Sequence, residues 1–171
     1  MIKTKLCDFL GIKYPIIQAG MGPFGTNKLC IAAANAGVLG LISSSGISVK
    51  EFQPGIYKYF VETGGASLED DGKTVLKKIY RQTLEGTRQK QGIFGVNVMV
   101  SEEMKSYADL IVDTMIEVRE EDPEMKKRFQ ILVTSAGDPL PWTQKVRKAG
   151  LKWLHVIPSV RGALRCKKAG V

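Results

Sequence analysis

The sequence holds a single histidine and only three cysteines in 171 residues, and neither type is arranged for chemistry. Cys7, Cys30 and Cys166 are odd in number and widely separated, so no pair has metal-ligand spacing and no disulfide framework is expected. They read as thiols in a reducing compartment, used as small buried hydrophobes. Cys166 lies among basic residues that could lower its pKa, but nothing in the sequence places a base beside it. No Ser/His/Asp or Cys/His set can be assembled, and no metal site is expected. Long apolar runs are also missing: the longest are a few residues, against roughly 20 needed to span a bilayer. Met1-Ile2-Lys3-Thr4-Lys5 lacks the apolar core of a secretory signal. These absences predict a cytoplasmic protein with no membrane contact.

Acidic residues are missing from one stretch. Residues 1–138 carry 17 basic and 17 acidic side chains, which cancel, so the net charge of +8 comes from residues 139–171, with eight cations and no acid. Aromatic residues are not interleaved with these cations, as a single-strand nucleic-acid platform would need. They fit the solvated outer faces of two helices, and no nucleic-acid partner is expected.

What the sequence does have is a series of strand–helix units. Pro15–Met21, Val38–Ser44, Ile93–Val100, Phe129–Thr134 and Leu151–Pro158 are short apolar runs suited to buried parallel strands. Between the first two, a helix capped by Thr26 carries Leu29, Ala32, Ala33 and Ala36 on one face and stops at Gly37. A helix through Ala108, Ile111, Val112, Met115 and Val118, with Ser101 as candidate N-cap, follows the third run. Pro141 opens a helix burying Trp142, Val146 and Ala149, and Ser159 caps a last helix ending at Gly170. Residues 46–92 are turn-rich, with a basic helix near Lys73–Leu84, and read as an enlarged second connection. Ala36-Gly37-Val38, Ala149-Gly150-Leu151 and Ala169-Gly170-Val171 repeat one pattern of helix end, glycine turn and strand start. Alternating strands and helices specify an α/β fold with a parallel sheet. The pattern leaves two architectures open, a doubly wound sheet or a barrel.

Ligands of parallel α/β folds gather at the C-terminal ends of the strands. There the sequence offers Gln18–Gly22, Ser43–Gly46, Asn97 with Met99, Thr134–Asp138 and His155–Ser159. Paired carboxylates are absent, and the lining of amides, hydroxyls and small residues suits a flat, hydrogen-bonding cofactor better than acid/base hydrolysis. Gly20-Met21-Gly22 lets backbone pass close to a planar ligand, or simply makes a tight turn. Asn97 interrupts an apolar strand, so its carboxamide needs a partner: a flavin pyrimidine edge or neighbouring backbone. His155 faces either the mouth of the fold or its core. The glycines of residues 20–25 and 134–137 fit neither the dinucleotide fingerprint nor the P-loop.

Three segments in order carry a resemblance. LGIKYPIIQAGMGPFGTNKLCIAAANAGVLGLISSSG (Leu10–Gly46) resembles the opening of the nitronate monooxygenase, or 2-nitropropane dioxygenase, family. Phe94-Gly95-Val96-Asn97 resembles its third-strand motif, and Val133-Thr134-Ser135-Ala136-Gly137-Asp138-Pro139 its fourth unit. The resemblance implies a partial (β/α)8 TIM barrel of about the first five βα units, with residues 1–171 as the N-terminal part of one FMN-binding domain. It implies FMN contacts from Gly20, Met21, Gly22 and Asn97, with Ser135 and Gly137 nearby. Gly20 departs from the proline common at that position. The family oxidises alkyl nitronates, a small-molecule substrate, with oxygen. Related enzymes of the enoyl-acyl carrier protein reductase II or quinone reductase type use a nicotinamide donor. The family's catalytic histidine falls in a later segment and is not His155, so no catalytic residue is assigned here. The chain is accordingly expected to be a truncated, inactive fragment. A flavin-free half-barrel dimerising through its open edges is the non-enzymatic alternative.

Overall fold

The computed structural model describes residues 2–22 and 27–171. Four parallel strands, β1 (Gly40–Ser43), β2 (Phe94–Met99), β3 (Phe129–Ser135) and β4 (Lys152–His155), pair in chain order. Four of the five expected strands are therefore present. The remaining run, Pro15–Met21, is a correction: it makes one parallel bridge, Ile17 to Leu39, and not a strand. It lies at the rim of the sheet with a neighbour on one side only. Beyond the bridge the Gln18 side chain, not its backbone, accepts from the Leu41 N–H at 2.9 Å.

Alternation along the strands gives the sheet two unlike faces. Ile42, Phe94, Val96, Val98, Leu132 and Trp153 join the larger core, built with the helices α4 (Gly72–Thr87) and α5 (Lys105–Glu121). Leu39, Leu41, Ile131 and Val133 form a second cluster on the other face. Its N-terminal end is closed by Cys7 and Leu10 of the short helix α1 (Lys5–Leu10). The strand register then fixes what lies further up this inner face. Leu41, Gly95 and Ile131 are neighbours, followed by Ser43, Asn97, Val133 and Leu154. The face turns from apolar to polar toward the C-terminal strand ends.

The helix α2 (Asn27–Asn35) corrects a second expectation. It buries Asn27, Cys30 and Ala34, while Leu29, Ala32 and Ala36 face outward. A helix with alanine on every side offers no hydrophobic phase to read, and Cys30 supplies the contact with the sheet. Thr26, the expected cap, lies outside the described residues. Gly37, Gly150 and Gly170 all adopt positive φ, as the repeated helix-end pattern requires. The enlarged connection contains an unexpected helix, α3 (Pro54–Thr63), which buries Tyr57, Phe60 and Val61. Asp71 caps α4 by accepting from Thr74 N at 2.7 Å. Ser101 caps only a short 3-10 turn ahead of α5, and its side chain makes no capping bond to a backbone N–H there. The helix α6 (Pro123–Arg128) links α5 to β3. Pro141 enters a 3-10 turn that leads into α7 (Thr143–Lys148), and Ser159 caps α8 (Val160–Ala169) by accepting from Gly162 N at 3.2 Å. All three cysteines are buried and unpaired, and burial raises the pKa of Cys166 rather than lowering it. Among the described residues no helix is long and apolar enough to cross a membrane.

Candidate active site

Two adjoining cavities open on the inner face at the C-terminal ends of the strands. The deeper, about 430 Å³, is walled by Ile17, Leu41, Val133, Leu154 and Val156. The outer, about 390 Å³, is edged by Gly22, Ser43, Ser45 and Met99. Gly20, Asn97 and Ser135 line both. Four of the six residues expected at a flavin, Gly20, Gly22, Asn97 and Ser135, are thus brought to one cleft. Met21 and Gly137 line neither cavity. Met21 is 61% exposed. Gly137 sits where a Cβ would meet the Val100 carbonyl oxygen at 2.3 Å, so it lets the loops after β2 and β3 touch.

Backbone contacts place these groups. The hydroxyl of buried Ser44 donates to the Asn97 carbonyl at 2.7 Å, fastening β1 to β2 at the level of the cleft. Alternation turns Ser43 inward, and Ser45, the first residue of the 3-10 turn after β1, brings its hydroxyl within 3.1 Å of it. The Asn97 Nδ2 donates to the Val133 carbonyl at 3.3 Å, a long bond, and its Oδ1 accepts nothing from the described residues. A Cβ on Gly20 would stand 2.6 Å from the Asn97 Cβ, and one on Gly22 would strike the Ser45 hydroxyl. The two glycines let the Gly20–Gly22 segment lie directly on the strand ends. No Lys, Arg, Asp or Glu lines either cavity. Ser43, Ser45 and Met99 fell inside the ranges the sequence offered, but only the strand parity shows that they share the cleft with Asn97.

His155 borders the deeper cavity beside Leu154. Strand parity pairs it with Thr134 on the helix-facing side. The Trp153 Nε1 donates to Thr134 Oγ1 at 2.8 Å, and Thr134 Oγ1 lies 2.7 Å from His155 Nδ1 but 3.5 Å from the Leu154 carbonyl. The shorter contact takes the hydroxyl proton, so Nδ1 accepts and Nε2 carries the hydrogen. Burial lowers the pKa of His155, against smaller raising effects of the Gly137 backbone and Asp138. Asp138 is itself held below the usual carboxylate range, first by its hydrogen bonds from Arg165. A histidine depressed in the fold favours folding fully above its unfolded pKa and loses that contribution as pH falls through it. We expect NMR titration of this single histidine to show the Nε2–H tautomer and a midpoint below the ordinary histidine value of 6.5. A midpoint above that value contradicts the assignment.

Comparison with known proteins places this geometry. The nitronate monooxygenase family model matches residues 3–147. The chain belongs to the nitronate monooxygenase family. A probable nitronate monooxygenase of Staphylococcus aureus is 26% identical, aligned over 99% of this chain and 47% of its own length. The (3aS,4S,5R,7aS)-5-hydroxy-7a-methyl-1-oxo-octahydro-1H-indene-4-carboxyl-CoA dehydrogenase of Mycobacterium tuberculosis is 30% identical over 90 residues, 51% of this chain and 25% of that protein. Among solved structures, FabK from Thermotoga maritima superimposes with a TM-score of 0.68 at 25% identity, over 100% of this chain and 42% of FabK. The chain spans less than half the length of each of these relatives. The fold is therefore a partial (β/α)8 barrel of the nitronate monooxygenase family.

Proposed function

We propose that the cleft around Asn97 is the ring-binding part of an FMN site in an oxidoreductase of the nitronate monooxygenase type. The observation that carries this reading is the convergence of Gly20, Gly22, Asn97 and Ser135 on one uncharged cleft in a chain of that family. These groups fit a flavin. The Asn97 carboxamide keeps a free acceptor and a weakly engaged donor for the pyrimidine edge. The hydroxyls of Ser43, Ser45 and Ser135 supply further polar partners, and the glycines admit a flat ring against backbone. The apolar wall of Leu41, Val133 and Leu154 excludes water beneath it. When bound, FMN supplies the two-electron redox chemistry, and oxygen reoxidises it.

Proton transfer is not assigned to this chain's residues. His155 Nδ1 is occupied by Thr134, and its side chain is on the other face of β4 from Leu154. The substrate proposed is an alkyl nitronate. A second reading, reduction of an unsaturated thioester by a nicotinamide donor, has two observations in its favour: the FabK superposition and the similarity to a carboxyl-CoA dehydrogenase. Oxygen uptake separates them. A form extended over the length its relatives span and loaded with FMN is expected to consume oxygen on addition of an alkyl nitronate, without nicotinamide. Turnover that requires NADH or NADPH and an enoyl thioester establishes the second reading instead.

A further inference from the structure

The segment that lies over Asn97 leaves the sheet through a side chain. It begins as a parallel partner of β1: the Leu39 N–H donates to the Ile16 carbonyl at 3.0 Å, and the Gln18 N–H to the Leu39 carbonyl at 2.9 Å. The next rungs of such a ladder would join the Leu41 N–H to the Gln18 carbonyl and the Gly20 N–H to the Leu41 carbonyl. Among the described residues neither rung is made. The Leu41 N–H donates instead to Oε1 of the Gln18 side chain at 2.9 Å, and Nε2 of the same carboxamide donates to the Ala19 carbonyl.

These two partners fix the chemistry required at residue 18. A backbone N–H needs an acceptor and a backbone carbonyl needs a donor, so the side chain must offer both. A carboxamide does. A carboxylate would turn an oxygen toward the Ala19 carbonyl, and an apolar side chain supplies neither group. The interposed carboxamide also keeps the main chain after Gln18 from adding to the sheet. That chain runs over the strand ends instead, where Gly20 stands against Asn97 and Gly22 against Ser45.

We propose that Gln18 is a positioning residue of the cleft: its carboxamide replaces the main-chain ladder and sets Gly20–Gly22 over Asn97, so that glycine backbone and the Asn97 carboxamide face one planar ligand. The proposal rests on the flavin reading for the identity of that ligand. Without the carboxamide, the Gln18 carbonyl is free to take the Leu41 N–H. The strand then lengthens toward Gly20, and the backbone that covers Asn97 is drawn off it.

Two readouts test this on the purified chain. NMR resonances of the Gly20 and Gly22 amides and the Asn97 side-chain amide report the placement without any flavin, and titration with FMN, followed by the visible bands, reports its consequence. Gln18→Leu removes both hydrogen bonds and is expected to shift all three resonances and weaken FMN binding about five- to tenfold. Gln18→Glu should match Gln18→Leu at about pH 8 and recover toward the parent at about pH 4, where a protonated carboxyl again offers one donor and one acceptor. His155 borders the deeper cavity and titrates in every variant, so each affinity is compared with the parent at the same pH. Gln18 is half-buried and belongs to neither core cluster, so circular dichroism of the variants should match the parent. Resonances that ignore Gln18→Leu overturn the proposal, whether or not the parent binds FMN. So does an FMN affinity equal to the parent's once the resonances have moved, or a Gln18→Glu protein that fails to recover at low pH. A parent that binds no FMN contradicts the flavin reading instead, and the resonances then decide the placement alone.

Discussion

Replacing Arg128 by alanine lowers the free energy of unfolding by about 3–5 kcal/mol. The sequence Lys126-Lys127-Arg128 looks like the solvated end of a basic helix, yet Arg128 is 1% exposed. Its guanidinium donates from Nη1 to the Thr87 carbonyl at 2.8 Å, and from Nη2 to the Leu84 carbonyl at 2.6 Å and the Thr87 hydroxyl at 3.1 Å. Glu124 lies 3.5 Å from its Nε. One side chain from α6 therefore ties down the last carbonyls of α4, beside the Gly92 N–H on Thr87 and the Thr87 hydroxyl on Leu84. Alanine removes three guanidinium hydrogen bonds and the Glu124 ion pair at a position that is fully buried. Methionine keeps much of the apolar stem and should recover part of the stability, leaving a loss of about 1–3 kcal/mol for the missing guanidinium hydrogen bonds. Urea denaturation with an unchanged m-value reads both. By contrast, Lys77→Ala breaks two ion pairs, to Glu117 and Glu121, but these lie on a solvated face and should cost under about 1 kcal/mol. If Arg128→Ala is as mild as Lys77→Ala, the capping role is wrong.

The second large effect falls on binding rather than folding. In Gly20→Val, the first added carbon meets the Asn97 Cβ at 2.6 Å, and the Cγ and Oδ1 at 3.1 and 3.2 Å. A Cβ cannot rotate away, so the Gly20–Gly22 segment or the Asn97 carboxamide has to move. The segment is the freer partner, held to the sheet by a single bridge and the Gln18 contacts. Stability should fall by about 1–3 kcal/mol, while FMN affinity falls about tenfold or more because the cleft loses its lid and the carboxamide its aim. Unchanged FMN affinity in a folded Gly20→Val protein excludes this segment from the site.

Much of this architecture was legible in the sequence, for reasons that particular residues show. β2 and β3 were bounded to within a residue at each end because each is a continuous apolar run between turn signals. Pro15–Met21 has the same composition but a different fate, because a run of residues does not reveal whether it gains neighbours on one side or two. The alanines of α2 gave no phase. The helix α3 did carry a signal, with Pro54 at its start and Tyr57, Phe60 and Val61 at helical spacing, but the glycines around it masked the pattern. In the site, Asn97 stood out as a carboxamide in the middle of an apolar strand. The contact of Gly20 with Asn97 spans 77 positions of the chain, and no local pattern encodes such a distance. His155 was ambiguous between mouth and core until strand register placed it beside Thr134.

The most direct test of the flavin reading is a titration of the purified chain with FMN, following the visible flavin bands and then gel filtration. Saturable binding with a resolved shift of those bands, weakened about five- to tenfold by Asn97→Ala through the loss of one hydrogen bond, is the expected result. Protein that leaves the FMN spectrum unchanged, or that binds it equally well without the Asn97 carboxamide, contradicts the assignment of this cleft.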